Sequence, residues 1–222
     1  MNEANTFFNA HKINDYFRTM EKHFKAQKTY RYEIQEHEHE HLLIVLHGYG
    51  QLAKFFLRKF QGLQSKGRVV APEGPHRFYL QGSSGRVGAS WMTKEARELD
   101  IQDNLVGLNA LLCELQKSYS PKKITLLGFS QGAATAARWY QQNPSAFDQL
   151  ILWAAVFPPD IDAGSFPTEK PLHFVLGTQD EYYQGEASAE LQERYKTLGF
   201  EVHSFEGKHD IETGMLTAIL ST

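Results

Sequence analysis

Cysteine and long apolar runs are nearly absent from this chain. Its one cysteine among 222 residues, Cys113, excludes an internal disulfide and any metal site built from several thiols. The leucine-rich helical pattern around Cys113 predicts a buried or half-buried thiol. The longest apolar run, Leu150–Phe157, has about eight residues, whereas a membrane-spanning helix needs about twenty. Because the first residues also lack a secretion signal or lipidation motif, we expect a cytoplasmic protein with no integral membrane association.

An excess of one charge is also missing. Lys and Arg together number 23, and Asp and Glu number 26, which gives a net charge of −3. Nucleic-acid-binding domains are typically basic, so no nucleic-acid partner is expected. No linker rich in Pro, Gly or Ser interrupts the chain, and 41% of its residues are apolar, enough for one sizeable core. The sequence thus predicts one domain over residues 1–222 and leaves its oligomeric state open.

Short runs rich in Val, Ile and Leu alternate along the chain with longer stretches of helical spacing. Strands buried on both faces of a sheet have such continuous runs, and their alternation with helices predicts an α/β fold with a mostly parallel central sheet and helices on both faces. The predicted strands are Leu42–Leu46, Arg68–Ala71, Lys123–Leu127, Gln149–Phe157, Leu172–Leu176 and Phe200–Phe205. The predicted helices are Glu95–Lys117, one that follows Ser130, Ala187–Leu198 and one from about Ile211.

The N-terminal part is less regular. Tyr30–Ile34 alternates like a strand, and we predict that Lys22–Gln27 pairs with it as a hairpin. Residues 3–20 have a weak helical pattern, and residues 1–20 are interpreted as an N-terminal extension of the domain.

Glutamate and histidine alternate from residue 36 to residue 41. In an extended strand His37, His39 and His41 would point to one face, and imidazole suits zinc, copper or nickel. A polar turn is needed here in any case, because the segment lies between two predicted strands. We therefore predict a solvated hairpin loop and no metal site.

The most informative stretch is a Gly-x-Ser-x-Gly motif, residues 128–132, between a buried strand and a small-residue helix. In this setting the chain reverses sharply and exposes the serine hydroxyl at the sheet edge, in a strained backbone conformation. Gly128 and Gly132 keep side chains out of the crowded turn. The motif predicts that Ser130 is a nucleophile and that the fold is an α/β-hydrolase fold without a large cap domain.

Two backbone N–H groups are predicted to stabilise the oxyanion of the reaction. In α/β-hydrolases one belongs to the residue after the nucleophile, here Gln131, and the other to the loop after an early strand. That loop is Leu46-His47-Gly48-Tyr49-Gly50, so the second N–H belongs to Tyr49. His47 precedes the serine in the chain and is interpreted as a residue that braces the loop.

The general base follows from the chain order serine, acid, histidine. Of the histidines after Ser130, His173 and His203 fall inside predicted strands, whereas His209 follows the last strand, so His209 is the predicted base. The acid candidates are Asp180, Asp160 and Asp162. If Ser130 ends the fifth strand, Asp180 ends the seventh, where this fold usually has its acid, and we predict Asp180.

Six short segments resemble the phospholipase/carboxylesterase family of α/β-hydrolases, which includes bacterial carboxylesterases and acyl-protein thioesterases. They follow one another in the family's order over roughly residues 28–220: Leu46–Gly50, Ala71–Pro75, Ala89–Met92, Gly128–Gly132, Gly177–Asp180 and Lys208–His209. The resemblance implies a small enzyme that acts on carboxylic esters or thioesters. The chain departs from the family's usual pattern at Tyr49, at Gln51 and at the residue before His209, which is Lys208.

Specificity is expected from loops at the carboxyl ends of the strands. Residues 72–92 form the longest predicted loop, and they are interpreted as a flap that contacts substrate. The candidate substrate-binding residues are Tyr79, Trp91, Met92, Phe157 and Tyr182. The predicted function is a serine carboxylesterase without cofactor or metal, which acts on a small ester or acyl substrate. The alternatives are an acyl-protein thioesterase, a lysophospholipase, and a hydrolase fold without activity that serves in binding.

Overall fold

A computed structural model describes residues 20–63 and 65–222, and the predicted helical pattern of residues 3–20 lies almost wholly outside them. Nine strands are present in the described part of the chain. Seven of them form one sheet and two form a hairpin. In chain order they are β1 (Tyr32–Gln35), β2 (His41–Leu46), β3 (Arg68–Pro72), β4 (His76–Tyr79), β5 (Val87–Ser90), β6 (Lys123–Phe129), β7 (Gln149–Trp153), β8 (Leu172–Gly177) and β9 (Glu201–Phe205).

The large sheet has the strand order β1-β3-β2-β6-β7-β8-β9. Every neighbouring pair is parallel except β1 and β3, which are antiparallel. All residues of β2, β7 and β8 are buried, as the continuous apolar runs predicted. The predicted α/β-hydrolase fold with a mostly parallel sheet is thus confirmed.

Five α-helices lie between or after these strands in the described residues. They are α1 (Ala53–Phe56), α2 (Arg97–Tyr119), α3 (Gln131–Gln142), α4 (Gly185–Thr197) and α5 (Thr213–Ile219). The four longer ones match the predicted helices to within a few residues. No helix in the described ranges has both the length and the apolar character to cross a membrane.

The predicted N-terminal hairpin is wrong. Residues 22–27 form no strand, and β1 pairs with β3 in the large sheet. Phe24 is 91% exposed, so this segment offers no apolar face that a strand could bury. The strand count therefore shifts by one: Ser130 follows the fourth strand of the large sheet and Asp180 the sixth, with the predicted interval of two strands unchanged.

The Glu/His segment is not a hairpin loop either, because β1 and β2 are not neighbours in the sheet. His41 belongs to β2 and is buried, where its ring bonds to Lys66 and Thr125. His39 Nδ1 accepts from the backbone N–H of His41. Of the three imidazoles in this segment, those of His39 and His41 are therefore held by hydrogen bonds within the fold.

Residues 72–92 are more ordered than the predicted flap. β4 and β5 form a hairpin, and backbone hydrogen bonds join Ala89 to Gly50 and Gln51 in the loop after β2. The hairpin is thus tied to the loop that carries Tyr49.

The prediction of a buried or half-buried thiol at Cys113 is wrong, because its side chain is exposed on α2 next to the buried Leu112.

Candidate active site

The turn between β6 and α3 holds Ser130 in a strained conformation. Its φ is +53° and its ψ is −120°, a region that non-glycine residues rarely occupy. The Ser130 N–H donates to the Trp153 carbonyl of β7 at 2.8 Å, which fixes the serine at the carboxyl edge of the sheet. A Cβ on Gly132 would collide with the carbonyl oxygens of Leu46 and His47, so only glycine lets α3 approach the loop after β2 this closely.

His47 braces that loop and is fully buried. Its Nε2 accepts from the Gly74 N–H at 2.9 Å, and its Nδ1 lies 2.8 Å from the Gly48 carbonyl oxygen. A neutral ring with its proton on Nδ1 satisfies both contacts. Burial lowers the pKa of His47, which keeps the ring neutral. With both nitrogens occupied, His47 has no site left for a reacting proton.

The Gln131 side chain has a role that sequence reasoning missed. Its Nε2 donates to the Met92 carbonyl at 2.8 Å, and its Oε1 accepts from the Trp91 N–H at 3.0 Å. Trp91 Nε1 in turn donates to the His47 carbonyl at 2.8 Å. Gln131 thus joins the start of α3 to the segment after β5, next to both predicted oxyanion loops.

The two backbone N–H groups predicted for the oxyanion, of Tyr49 and Gln131, donate to no acceptor in the described residues. Gln131 begins α3, and the first N–H groups of a helix have no partner within it. The Gly48 N–H, next to Tyr49, donates to Gln51 Oε1 at 2.9 Å, which holds the loop in place. Both predicted donors are therefore available to a ligand.

Asp180 and His209 are hydrogen-bonded. Asp180 Oδ2 lies 2.7 Å from His209 Nδ1, and Asp180 Oδ1 accepts from the Tyr182 N–H at 2.9 Å. The carboxyl group is fully buried, whereas the His209 side chain keeps 14% of its exposure. The Gln179 N–H donates to the Gly207 carbonyl at 2.8 Å, which joins the two loops that carry this pair.

His209 is placed next to the serine turn by its neighbours. Its ring centroid lies 4.9 Å from that of Phe129, the residue before Ser130, and 4.6 Å from that of Tyr182. The following residue, Asp210, is held by Trp153 Nε1 on its carbonyl at 2.9 Å. No hydrogen bond joins Ser130 to His209 Nε2 in this structure; such bonds are often long until substrate binds.

The other acid candidates have different partners. Both oxygens of Asp160 accept from Arg138, at 2.6 and 2.7 Å, and Arg97 adds a third bond at 2.8 Å. The Arg138 guanidinium holds the pKa of the Asp160 carboxyl well below its usual range. Asp162 caps a short turn through the Gly164 N–H at 3.2 Å. Neither carboxylate is bonded to a histidine.

The predicted substrate-binding residues separate into two groups. Tyr79 and Tyr182 are exposed, at 49% and 69%, and Tyr182 lies against His209. Trp91 and Phe157 are buried: Trp91 holds His47, and Phe157 packs on Phe166, Tyr195 and Phe200. Met92 is buried as well, and Met92 and Phe157 both line a groove beside Gln131.

Two open grooves adjoin the predicted oxyanion loops. One, of about 380 Å³, lies beside Gln131 between the segment after β5 and the segment after β7, where Val156 is 55% exposed. The other, of about 650 Å³, lies between α1 and the β4–β5 hairpin and includes Gly50, Phe55 and Leu80. Both mix apolar surface with lysine or arginine side chains.

The strand order, the strained serine after a central strand, and the carboxylate–histidine pair at the same sheet edge define an α/β-hydrolase. The phospholipase/carboxylesterase family model matches residues 29–222, and the chain belongs to this family.

The fold resembles those of a solved carboxylesterase and a solved acyl-protein thioesterase. A Bacillus cereus carboxylesterase is 19% identical with a TM-score of 0.64, and the match covers 86% of this chain and 92% of that one. Zea mays acyl-protein thioesterase 2 is 15% identical with a TM-score of 0.60, and the match covers 86% of this chain and 96% of that one. An Arabidopsis thaliana 1-acylglycerol-3-phosphate O-acyltransferase is 31% identical over 55% of this chain. The chain spans only 27% of the length of that relative.

Proposed function

We propose that this protein is a serine hydrolase of carboxylic esters, with Ser130 as nucleophile, His209 as general base and Asp180 as the residue that orients the base. The observation that carries the proposal is the 2.7 Å contact between Asp180 Oδ2 and His209 Nδ1. A buried carboxylate on Nδ1 keeps the proton there, so that Nε2 has a lone pair for the serine proton. The His209 ring also lies against Phe129, the residue before Ser130, which supports its role beside the nucleophile.

The proposed reaction has two halves. Ser130 Oγ attacks the ester carbonyl carbon while His209 Nε2 takes the hydroxyl proton, and the Tyr49 and Gln131 N–H groups bind the resulting oxyanion. The C–O bond to the alcohol then breaks, and the imidazolium gives its proton to the leaving oxygen. Water attacks the acyl-enzyme with His209 again as base, which releases the carboxylic acid and restores Ser130.

Small carboxylic esters are our preferred substrate class, and an acyl thioester or the acyl ester of a lysophospholipid is the alternative. The similar maize protein is an acyl-protein thioesterase, and the same acyl-enzyme chemistry accepts a thiol as leaving group. The two grooves, which combine apolar and cationic surface, are where an acyl chain and a leaving group would lie.

A covalent probe tests the proposal directly. Wild-type protein and Ser130→Ala are treated with a fluorophosphonate, which labels only an activated serine, and turnover is measured on p-nitrophenyl esters, acyl thioesters and lysophospholipids. We expect labelling and ester turnover in the wild type and neither in the variant. Labelling without turnover of the p-nitrophenyl esters, but with turnover of thioesters or lysophospholipids, would favour one of the alternative substrates. An unlabelled wild-type protein would contradict the proposal and favour the binding protein without activity.

A further inference from the structure

Two histidines and a glutamate converge at the amino ends of β8 and β9, the sheet edge opposite to the candidate active site. His173 is the second residue of β8, and Glu201 and His203 are the first and third residues of β9. His173 Nδ1 lies 3.0 Å from His203 Nε2 and 3.5 Å from a Glu201 carboxylate oxygen. The other Glu201 oxygen lies 3.8 Å from His203 Nε2. Nothing in the proposed reaction uses these residues.

A row of buried polar side chains leads from His173 into the sheet. The hydrogen bonds along this row determine which His173 nitrogen carries a proton. His41 Nδ1 lies 2.7 Å from the Lys66 carbonyl oxygen, so this nitrogen must donate. His41 Nε2 lies 2.9 Å from the Thr125 hydroxyl, which lies 3.1 Å from the Gln149 amide. The nitrogen of that amide, Nε2, lies 2.9 Å from His173 Nε2. All four side chains are buried.

The orientation of the Gln149 amide decides which nitrogens of His41 and His173 carry protons. With Oε1 toward Thr125, the hydroxyl donates to the amide, and His41 would have to donate from both nitrogens as a buried imidazolium. A half-turn of the amide removes this charge, because Thr125 then donates to a neutral His41 and Gln149 donates to Thr125. The half-turn of the amide loses one hydrogen bond, the 3.5 Å contact from Gln149 Nε2 to the Ile219 carbonyl.

The half-turn has a direct consequence for His173. The amide oxygen of Gln149 then accepts from His173 Nε2–H, which leaves a lone pair on Nδ1. This lone pair points at His203 and Glu201. An oxygen that accepts from the far N–H of an imidazole is the arrangement that supports metal-ligating histidines in general.

We propose that His173 Nδ1, His203 Nε2 and the Glu201 carboxylate form a binding site for a divalent transition metal, with Zn²⁺ as the best fit. Two imidazoles and one carboxylate are a known zinc ligand set, with water in the fourth position. Bonds of 2.0–2.2 Å in tetrahedral geometry separate ligand atoms by about 3.3 Å. The two imidazole nitrogens lie 3.0 Å apart, one Glu201 oxygen lies 3.5 Å from His173 and the other 3.8 Å from His203. The two nitrogens and a single carboxylate oxygen all lie within 4.8 Å of one another. Small side-chain movements therefore suffice for coordination.

The site would act on stability and not on chemistry. β9 is an edge strand, paired only with β8 in the described sheet, and the metal would link the two. Asp180 and His209 follow the opposite ends of these strands. His173 and Gly177 are four residue steps apart along β8, which at roughly 3.3 Å per step is about 13 Å. A metal at this distance cannot touch a substrate at Ser130.

Zinc titration of the metal-stripped full-length protein tests the proposal. We expect saturable binding of one Zn²⁺ per chain by calorimetry, and a Tm that rises with zinc. His203→Gln and Glu201→Gln should each weaken zinc binding on the order of tenfold or more and reduce the rise in Tm accordingly. Glu201 is mostly exposed and the change is isosteric, so that variant keeps the result interpretable if His203→Gln folds poorly. Ester turnover at 25 °C should be the same with and without zinc.

The matched control is the double variant His37→Gln, His39→Gln, which removes two imidazoles from the other histidine-rich segment. It should bind zinc as the wild type does. The proposal is overturned if the wild type shows no saturable binding, or if both His203→Gln and Glu201→Gln bind zinc with wild-type affinity. Loss of binding in the control variant alone would place the metal at the Glu/His segment and overturn it as well.

Discussion

Asp180 offers one carboxylate oxygen to the Tyr182 N–H and the other to His209 Nδ1, at 2.9 and 2.7 Å. Because one oxygen is committed to a backbone donor, an asparagine at this position has only one favourable orientation. Its Oδ1 would accept from Tyr182, and its amide N–H₂ would face His209. The histidine would then have to carry its proton on Nε2, where it could not accept the proton of Ser130.

We therefore expect Asp180→Asn to lower kcat by on the order of 10⁴, the loss that the equivalent tautomer change causes in a trypsin-type protease. The measurement is kcat on a p-nitrophenyl ester, with circular dichroism to show that the fold is kept. Asp162→Asn is the control and should retain wild-type turnover. Near-normal turnover of Asp180→Asn would show that another group orients His209.

The sequence predicted the large sheet and the order of the site residues because both depend on local patterns. The buried strands are continuous apolar runs, and the Gly-x-Ser-x-Gly turn needs glycine at Gly132 for steric reasons that hold wherever this turn occurs. The choice of Asp180 rested on which strand each acid follows. The structure adds the contact of Asp180 with His209 and the pairing of Asp160 with Arg138. Neither contact can be inferred from the order of the residues along the chain.

Sequence patterns failed where structure depends on distant partners. β4 and β5 have four residues each, too short for a clear alternation, and the hairpin is tied to Gly50 through backbone atoms. The Gln131 side chain also bonds to backbone atoms, about forty residues away along the chain. Lys22–Gln27 shows the reverse error, since a polar alternation that buries nothing gains no stability as a strand.

Asp160 is expected to contribute to stability and not to turnover. Asp160→Asn leaves the buried Arg138 guanidinium without its carboxylate partner, at a cost of about 1–3 kcal/mol at pH 7. The pKa of the Asp160 carboxyl is lower in the folded than in the unfolded protein. Its contribution is therefore complete well above the unfolded value of about 3.9, declines progressively below that value, and disappears only as the pH falls through the lower pKa of the folded protein.

Urea unfolding at pH 7 and at pH 3 measures this difference. The free energies of unfolding of wild type and Asp160→Asn should differ at pH 7 and differ by less at pH 3, with kcat unchanged at pH 7. A constant difference at both pH values would mean that the ion pair does not explain the effect. A collapse of kcat would identify Asp160 as the acid.

Gly132→Ala tests the close approach of α3 to the loop after β2. The added methyl group would overlap the carbonyl oxygens of Leu46 and His47, and these atoms belong to a buried strand end and its loop. We expect a loss of about 1–3 kcal/mol in the free energy of unfolding and a fall in kcat, because Tyr49 and Gln131 are displaced together. Gly164→Ala is the control, since a Cβ there meets only Asp162 at 3.8 Å. Equal stability of the two variants would contradict the steric argument.

Gln131→Met tests the contribution of this side chain separately from that of the backbone N–H, which the substitution keeps. Methionine has a similar length but cannot satisfy the Trp91 N–H or the Met92 carbonyl, so about 1–3 kcal/mol of stability should be lost. kcat should fall as well, because the segment after β5 also holds the His47 loop. Gln142→Met, at the other end of α3, is the matched control and should change neither quantity. A Gln131→Met enzyme with wild-type kcat would show that the side chain is not needed to position the oxyanion donors.

Removal of metal ions should leave ester turnover unchanged. In the proposed reaction the oxyanion is stabilised by the backbone N–H groups of Tyr49 and Gln131, and the proton moves between Ser130 and His209, so no step requires a Lewis acid. The proposed zinc site lies at the opposite sheet edge, about 13 Å away along β8. Dialysis against a strong chelator is therefore expected to lower Tm but to preserve kcat at 25 °C in protein that circular dichroism shows to be folded. A loss of kcat that zinc or manganese restores would contradict the metal-free mechanism. If His37→Gln, His39→Gln then lost the same activity, the ion required for turnover would lie in the Glu/His segment.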